Sequence, residues 1–455
     1  MEKTKRSPVV VVMGHVDHGK TTLLDAIRKT DVAGREFGGI TQSIGAYQAS
    51  GITFIDTPGH EAFGKMRSRG VNVADIAILV VAANDSVMPQ TIESINIILE
   101  AKIPFIVAIN KVDLPESNVD KVIKDLLRYN VLLENYGGNV PFVKISAKKN
   151  EGVKELLELI NLLWEMRENK EETLDLKAVI IESKMDKNRG LVATAIVKSG
   201  ELTVGQKIFI GNKEHKIRML FDYNEKQISK ATSGMPVLIL GLTDIVPVGA
   251  EISSVAASNS MISKPTALKH GDNLLNLIIR ADTLGSLEAI IPKLPSNVNV
   301  LESGTGEVTN KDILLAKTTK AVVVGFNVKT SVLVVDLAKT EKVILRSYKI
   351  IYELLEELTD AAAGALDQLV EEEVLGVGLI VAQFPYEKLK IAGVKVTDGR
   401  LARGDKLRIG ETESKIKELR VGREQANKVE KGKECGVLLD PQLDFKLGES
   451  IIAHS

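Results

Sequence analysis

The sequence predicts an α/β multidomain protein: a parallel-sheet domain, a β-barrel, a smaller α/β/α domain, a long connecting helix and a second β-barrel. Three observations carry this. Continuous apolar runs alternate with amphipathic stretches from Pro8 to about Trp164. Two later strand-rich regions repeat their glycines at one fixed spacing. A loop of the form G-x-x-x-x-G-K-T stands between the first apolar run and the first amphipathic stretch. At 455 residues the chain has room for roughly three or four domains.

In chain order, apolar runs fall at 9–13, 52–55, 76–82, 105–109 and 142–145, with helical patterns at 20–29, 90–100, 119–129 and 153–166. Unbroken apolar runs divided by helices are buried parallel strands. This first domain is assigned to 1–170, its end marked by the charged stretch 167–172. Short β-rich runs at 177–182, 191–198, 206–210 and 236–240 give a barrel over 171–260, followed by a Ser/Ala/Asn-rich linker at 253–263. Strand and helix alternate again over 270–348, with strands expected at 274–280, 298–301, 321–326 and 342–345. A Leu/Glu/Ala-rich connecting helix is expected over 349–373, and a second barrel over 374–455. The barrels read as copies: Gly200 and Gly399, Gly205 and Gly404, Lys207 and Lys406, Gly211 and Gly410 all keep the same offset. Glycines at fixed offsets mark turns with positive φ, so one strand–turn–strand frame is used twice.

Composition removes several classes of function. Lys plus Arg is 59 and Asp plus Glu 60, a net charge of −1, which excludes a uniformly polycationic surface but not a local basic face. Aromatics are 4%, too few for an extended base-stacking platform. The single cysteine, Cys435, excludes an internal disulfide and fits a reducing cytosol. The apolar run after the charged start stops at Gly14, short of a signal-peptide core, and no run reaches the roughly 20 residues of a membrane span. A cytoplasmic protein without membrane contact is expected.

Gly14-His15-Val16-Asp17-His18-Gly19-Lys20-Thr21 follows a buried-strand pattern and opens a helix, as a phosphate loop requires. Its glycines let backbone N–H groups turn toward phosphates, Lys20 supplies a charge for the β and γ oxygens, and the Thr21 hydroxyl is a hard ligand for Mg²⁺. His15 and His18 read as residues shaping the loop. Asp56-Thr57-Pro58-Gly59-His60 ends the next parallel strand, placing a carboxylate near the metal and a glycine N–H near a γ-phosphate. Asn110-Lys111-Val112-Asp113 and Ser146-Ala147-Lys148 select the base. A buried Asp113 carboxylate pairs with the N1–H and amine of guanine and would stay unpaired against adenine. Gly38-Gly39-Ile40-Thr41 is either a segment that closes over phosphate and metal or a plain surface loop. His60 beside Gly59 could orient a water. No arginine finger is evident, so slow intrinsic hydrolysis is expected.

These motifs, in this order, resemble the translational GTPases, and most closely the family of bacterial translation initiation factor two. Ile40-Thr41-Gln42-Ser43-Ile44-Gly45-Ala46-Tyr47, Val87-Met88-Pro89-Gln90-Thr91, Ala281-Asp282-Thr283-Leu284-Gly285-Ser286-Leu287-Glu288-Ala289, Gly325-Phe326-Asn327-Val328 and Glu434-Cys435-Gly436 support the narrower resemblance, which runs from Pro8 to the end. It implies a P-loop GTPase first domain whose GTP/GDP and Mg²⁺ site uses Gly14, His15, Val16, Asp17, His18, Gly19, Lys20, Thr21, Thr22, Gly39, Ile40, Thr41, Asp56, Thr57, Pro58, Gly59, His60, Asn110, Lys111, Asp113, Ser146, Ala147 and Lys148. Thr21, Thr41 and Asp56 would serve the metal, and His60 would orient the attacking water behind a gate of Val16 and Ile40. Implied partners are the small and large ribosomal subunits, formylmethionyl initiator tRNA and other initiation factors, with the protein a monomer and the ribosome its activator. The last barrel would hold the aminoacyl end through Arg420, Arg423, Glu434, Cys435 and Gly436.

The sequence departs from the family pattern in three places. The family's long N-terminal region is expected to be missing, since the first strand begins at Pro8. Val394 stands where a cysteine is usual, and Arg420-Val421-Gly422-Arg423 replaces a Lys-Arg-x-Lys run. Solvated strand positions for the two arginines and a core position for Cys435 are the alternatives. For the whole chain the alternatives are an elongation-factor type of tRNA carrier, a P-loop kinase or ATPase, and a switch without useful hydrolysis. Strand–helix alternation over 273–345 argues against the first, and Asn110-Lys111-x-Asp113 against the second.

Overall fold

The computed structural model describes residues 6–28, 41–166, 175–256, 274–363, 374–386, 389–409, 412–422, 424–440, 443, 445 and 448–454. The Gly38-Gly39-Ile40 part of the candidate closing segment, the linkers at 167–172 and 257–263, the end of the connecting helix, Gly410 and Arg423 lie outside the described residues. The chain divides into two compact units, 1–364 and 365–455.

In the first unit, strands β1 (Val9–Gly14), β2 (Gly45–Ala49), β3 (Ile52–Asp56), β4 (Ile76–Ala82), β5 (Phe105–Asn110) and β6 (Phe142–Lys144) form one sheet in the order β2-β3-β1-β4-β5-β6. All pairings are parallel except β2 with β3. Helices α1 (Lys20–Arg28), α2 (Gly64–Val73), α3 (Pro89–Ala101), α4 (Val119–Arg128) and α5 (Val153–Met166) connect and cover it. β1 and β4 are buried at every position, which is why their sequences read as unbroken apolar runs. Neither β2 nor α2 stands out in the sequence. β2 is an edge strand in which Tyr47 alone is fully buried and the rest are half-exposed, and α2 carries two arginines, a lysine and two glycines.

Residues 175–256 form an antiparallel barrel around Ile180, Ala195, Val197, Leu202, Ile208, Leu220 and Ile239. Strand Lys207–Ile210 pairs through Glu251–Ser253, Lys177–Asp186 and Gly190–Ser199 to Pro236–Leu240. The run Lys213–Lys216 then Met219–Phe221 pairs with the first of these at one end and the last at the other, which closes the ring. In the second unit the corresponding ring is Lys406–Ile409, Ser450–His454, Val374–Tyr386, Leu389–Ala402, Glu434–Asp440 and Thr412–Val421. The hairpins agree residue by residue: Lys207 pairs with Lys216 as Lys406 does with Lys415, and Ile210 with Lys213 as Ile409 does with Thr412. Gly205 and Gly404, at φ 87° and 97°, each donate to an isoleucine carbonyl (Ile217, Ile416) at 2.9 Å.

Between the barrels, strands Leu275–Ala281, Val298–Thr305, Val322–Phe326 and Leu345–Tyr348 make a parallel sheet flanked by α6 (Leu284–Ile290), α7 (Asn310–Thr319) and α8 (Val332–Thr340). The last strand starts at Leu345 rather than 342, because Lys342 takes a φ of 55° just beyond α8 and cannot be extended. Helix α9 (Ile351–Ala362) follows, its buried Ile351, Leu354, Leu358 and Ala361 repeating at helical spacing.

Candidate functional site

The phosphate loop leaves β1 at Gly14, whose φ of 142° and position 2.3 Å (as a virtual Cβ) from the Val80 carbonyl exclude any side chain. Asp17 sits at the exposed tip with φ 62°, and Gly19, at φ 88°, leads into α1. Lys20 is buried, and its Nζ donates to the His15 carbonyl at 2.6 Å. Burial lowers its pKa to about 8, opposed by the Asp56 carboxylate. His18 is buried and pushed to about 3 by desolvation, so it is neutral and packs edge-on against His15 at 5.1 Å. Burial also lowers the half-buried His15. Val16 donates its N–H to Gln90 Oε1 on α3 at 2.9 Å. Thr22 is exposed on the first turn of α1.

The Thr21 and Thr41 hydroxyls meet at 2.8 Å. Adjacent ligands of an octahedral ion bound at 2.0–2.1 Å lie about 2.9 Å apart, so two hydroxyls at this separation suit one small hard cation. Asp56 is half-buried at the end of β3 and acts electrostatically on Lys20. Thr57 is fully buried, and its hydroxyl donates to the Val12 carbonyl at 2.8 Å, which ties the turn to β1. Pro58, Gly59 and His60 are buried next. A Cβ on Gly59 would stand 2.5 Å from Lys20 Nζ and 3.0 Å from Val16 N, so the turn touches the phosphate loop.

His60 caps a short 3-10 turn, its Nδ1 accepting the Ala62 N–H at 2.9 Å. Burial lowers its pKa, so the ring is neutral near pH 7, and with Nδ1 as acceptor the proton resides on Nε2. Its ring meets that of Tyr352 on α9. Gln42, next to Thr41, accepts from Ile351 N at 3.2 Å and donates to the Lys349 carbonyl at 2.8 Å.

Asn110 joins the base-reading motifs to the phosphate loop. Its Nδ2 donates to the His18 carbonyl at 2.9 Å and its Oδ1 accepts from Ala147 N at 3.0 Å. Ser146 and Glu151 exchange backbone hydrogen bonds of 3.0 and 3.1 Å, closing the second loop beneath it. Lys111 is half-buried, in left-handed backbone at φ 61°, and Lys148 is exposed. Asp113 is half-buried rather than buried as expected; a hydrogen bond from Ser146 holds its carboxyl below the usual range. Its place at the loop rim leaves one face to solvent.

Of the described residues expected at the aminoacyl end, Arg420, Glu434 and Gly436 share the outer face of adjacent strands, and Cys435 does not. Alternation along Glu434–Asp440 exposes Glu434 and turns Cys435 inward, 5% exposed, into the second barrel's core beside Val394. Burial pushes its thiol up to about 11. Cys435 therefore packs the core and presents no side chain to a ligand. Gly436 is half-buried and pairs with Arg420, whose Nη2 donates to Glu418 at 3.0 Å.

Two residues packed against the candidate site carry no assigned part from the sequence. Gln90 stands in the quoted V-M-P-Q-T stretch, the signal that could have found it. Arg67 lies buried beneath Pro58–His60 with nothing local to mark it.

Residues 31–165 match the family "Elongation factor Tu GTP binding domain", 175–255 "Elongation factor G domain 2" and 253–359 "Translation-initiation factor 2". Translation initiation factor IF-2 of Carboxydothermus hydrogenoformans is 41% identical, over 99% of this chain and 60% of its own length. That of Thermotoga sp. (strain RQ2) is 43% identical, over 98% of this chain and 71% of its own. GDP-bound aIF5B from Aeropyrum pernix aligns at 26% identity and a TM-score of 0.46, covering 98% of this chain and 92% of that one. The chain thus spans about three fifths to seven tenths of the bacterial relatives. With 43% identity sustained through all but a few of its residues, the chain belongs to the translation initiation factor IF-2 family.

Proposed function

We propose that the chain is a translation initiation factor that binds GTP, carries formylmethionyl initiator tRNA to the small ribosomal subunit, promotes joining of the large subunit and then hydrolyses GTP on the ribosome. The observation that carries the nucleotide part is Asn110, which ties the phosphate loop through His18 and the base-reading loop through Ala147, so that one buried amide holds together the two loops that would serve the two ends of a nucleotide. Asp113 at the rim would accept from the N1–H and amine of guanine, and that base edge would displace water from the half-buried carboxylate.

Mg²⁺ would be held by Thr21, Thr41 and Asp56 and would neutralise phosphate charge. His60, with Nδ1 occupied by Ala62, offers an Nε2–H and a neutral ring; such a group orients a water through its oxygen and does not abstract a proton. Thr41 and Gln42 connect the site to Lys349 and Ile351 at the start of α9, a path by which loss of phosphate could reach the rest of the chain.

For the domains, 1–170 would bind nucleotide, 171–260 and 270–348 would contact the ribosome, 349–373 would connect, and 374–455 would hold the aminoacyl end, using Arg420, Glu434 and Gly436. The proposed setting is the cytoplasm, with the factor a monomer working beside other initiation factors; among the described residues no helix is long and apolar enough to cross a membrane. The parallel sheet at 275–348, between the two barrels, supports this reading over an elongation-factor type, in which barrels would continue directly. Filter binding of formylated against unformylated initiator tRNA tests it, with the chain ended after about Gly376 as the comparison. Binding of the formylated form that is lost on truncation, with GTP binding kept, is expected; survival of tRNA binding would give the last barrel another task.

A further inference from the structure

Arg67 on α2 is the largest fully buried side chain of the described residues, at 0% exposure. Burying a guanidinium is costly unless most of its N–H groups find acceptors and its charge a partner; here only Nε lacks an acceptor. Its Nη1 donates to the carbonyls of Pro58 at 3.0 Å, Gly59 at 3.1 Å and His60. Its Nη2 donates to Glu93 Oε1 on α3 at 2.6 Å. Three successive carbonyls of one turn therefore converge on a single cation.

This convergence has a geometric consequence. In a trans peptide the C=O and the following N–H point in opposite directions. With the Pro58 and Gly59 carbonyls drawn to Arg67, the N–H groups of Gly59 and His60 face away from it. The other flank of the turn is the phosphate loop, where Lys20 Nζ and Val16 N lie within 3.0 Å of a virtual Gly59 Cβ. The anchor on α3 is shared: Glu93, which holds Arg67, lies one helical turn from Gln90, which holds Val16 N–H. One turn of α3 thus spaces the phosphate loop from the turn that faces it.

We propose that Arg67 is a positioning residue that aims the Gly59 and His60 N–H groups at the phosphate loop, and that with Glu93 it sets the preference for a nucleoside triphosphate over the diphosphate. This rests on the guanine-nucleotide reading above. Arg67 touches neither nucleotide nor metal; it acts through the turn.

The test compares GTP and GDP affinities, by calorimetry with Mg²⁺, for the full chain and for Arg67→Lys and Glu93→Gln. Lysine keeps the charge but not the two-armed guanidinium that reaches the three carbonyls through Nη1 and Glu93 through Nη2 at once. Arg67→Lys should weaken GTP about tenfold and GDP by less than about twofold, the value of one charge-assisted hydrogen bond lost from the triphosphate alone. Glu93→Gln keeps an acceptor for Nη2 and removes only the countercharge; with its fold checked by circular dichroism, it should lower the GTP-to-GDP affinity ratio by about threefold. Equal losses for both nucleotides, or an unchanged ratio in Glu93→Gln, would reduce Arg67 to a core residue and overturn the proposal while leaving nucleotide binding intact. Absence of binding by the unaltered chain would overturn both readings.

Discussion

The imidazole of His60 and the phenol ring of Tyr352 meet edge to face, with centroids 4.0 Å apart and planes at 85°. They are 292 positions apart in sequence, one on the turn after β3 and the other on the first turn of α9. The contact seats the candidate water-orienting ring against the element that leads out of the first unit's last sheet. Removing the phenol should free the ring. Tyr352→Ala is expected to raise ribosome-independent GTP turnover by about threefold or more with nucleotide affinity unchanged, measured as phosphate release. Unchanged turnover would make Tyr352 a packing residue.

His60→Ala should bind GTP normally and lose ribosome-stimulated turnover by about a hundredfold or more. Since burial lowers its pKa, His60 takes up a proton less readily than a free imidazole, and any loss of turnover through its protonation should appear only at a lower pH than a free histidine would give. Equal rates in the variant and the unaltered chain would take His60 out of the mechanism.

Lys20 opposes folding while it serves binding. Its pKa falls from 10.5 to about 8 on burial, so the unfolded chain binds more protons between those values and stability rises with pH across that window. Below about pH 8 the whole penalty is present. Lys20→Met is therefore expected to raise the nucleotide-free Tm at pH 7, with the gain shrinking as pH climbs above about 8, while GTP affinity falls by about a hundredfold or more. A Tm difference that does not change with pH would contradict the assignment.

Asp113→Asn should shift preference from guanosine to xanthosine nucleotides, with GTP weakened about a hundredfold, because an amide donates where the carboxylate accepts. Competition binding measures it, and unchanged GTP affinity would remove Asp113 from base recognition.

Cys435, buried with its thiol at about 11, should react with iodoacetamide at pH 8 about a hundredfold more slowly than a free thiol, and at the free rate in denaturant. Fast labelling of the native protein would place the side chain on the surface.

The strands β1, β4 and β5, the phosphate loop and the doubled barrel frame were readable because their causes are local. Unbroken apolar runs have one buried solution, a lysine and a threonine after two spaced glycines have one chemical use, and a glycine at positive φ marks its turn wherever it recurs. Other features were not readable, for equally physical reasons. Arg67 looks like any charged residue on a helix until the 58–60 turn is laid over it, and Cys435 could face either way until the pairing with Val394 decided its side. Asp113 stands at a rim whose exposure no neighbour in sequence foretells. Sequence alone thus determined which groups are available to grip a phosphate and a base, since their chemistry travels with the residue. Only the tertiary structure decided which of them are buried, which carbonyls share one guanidinium and which ring rests on His60, since hydrogen bonding and desolvation arise between segments that the chain holds far apart.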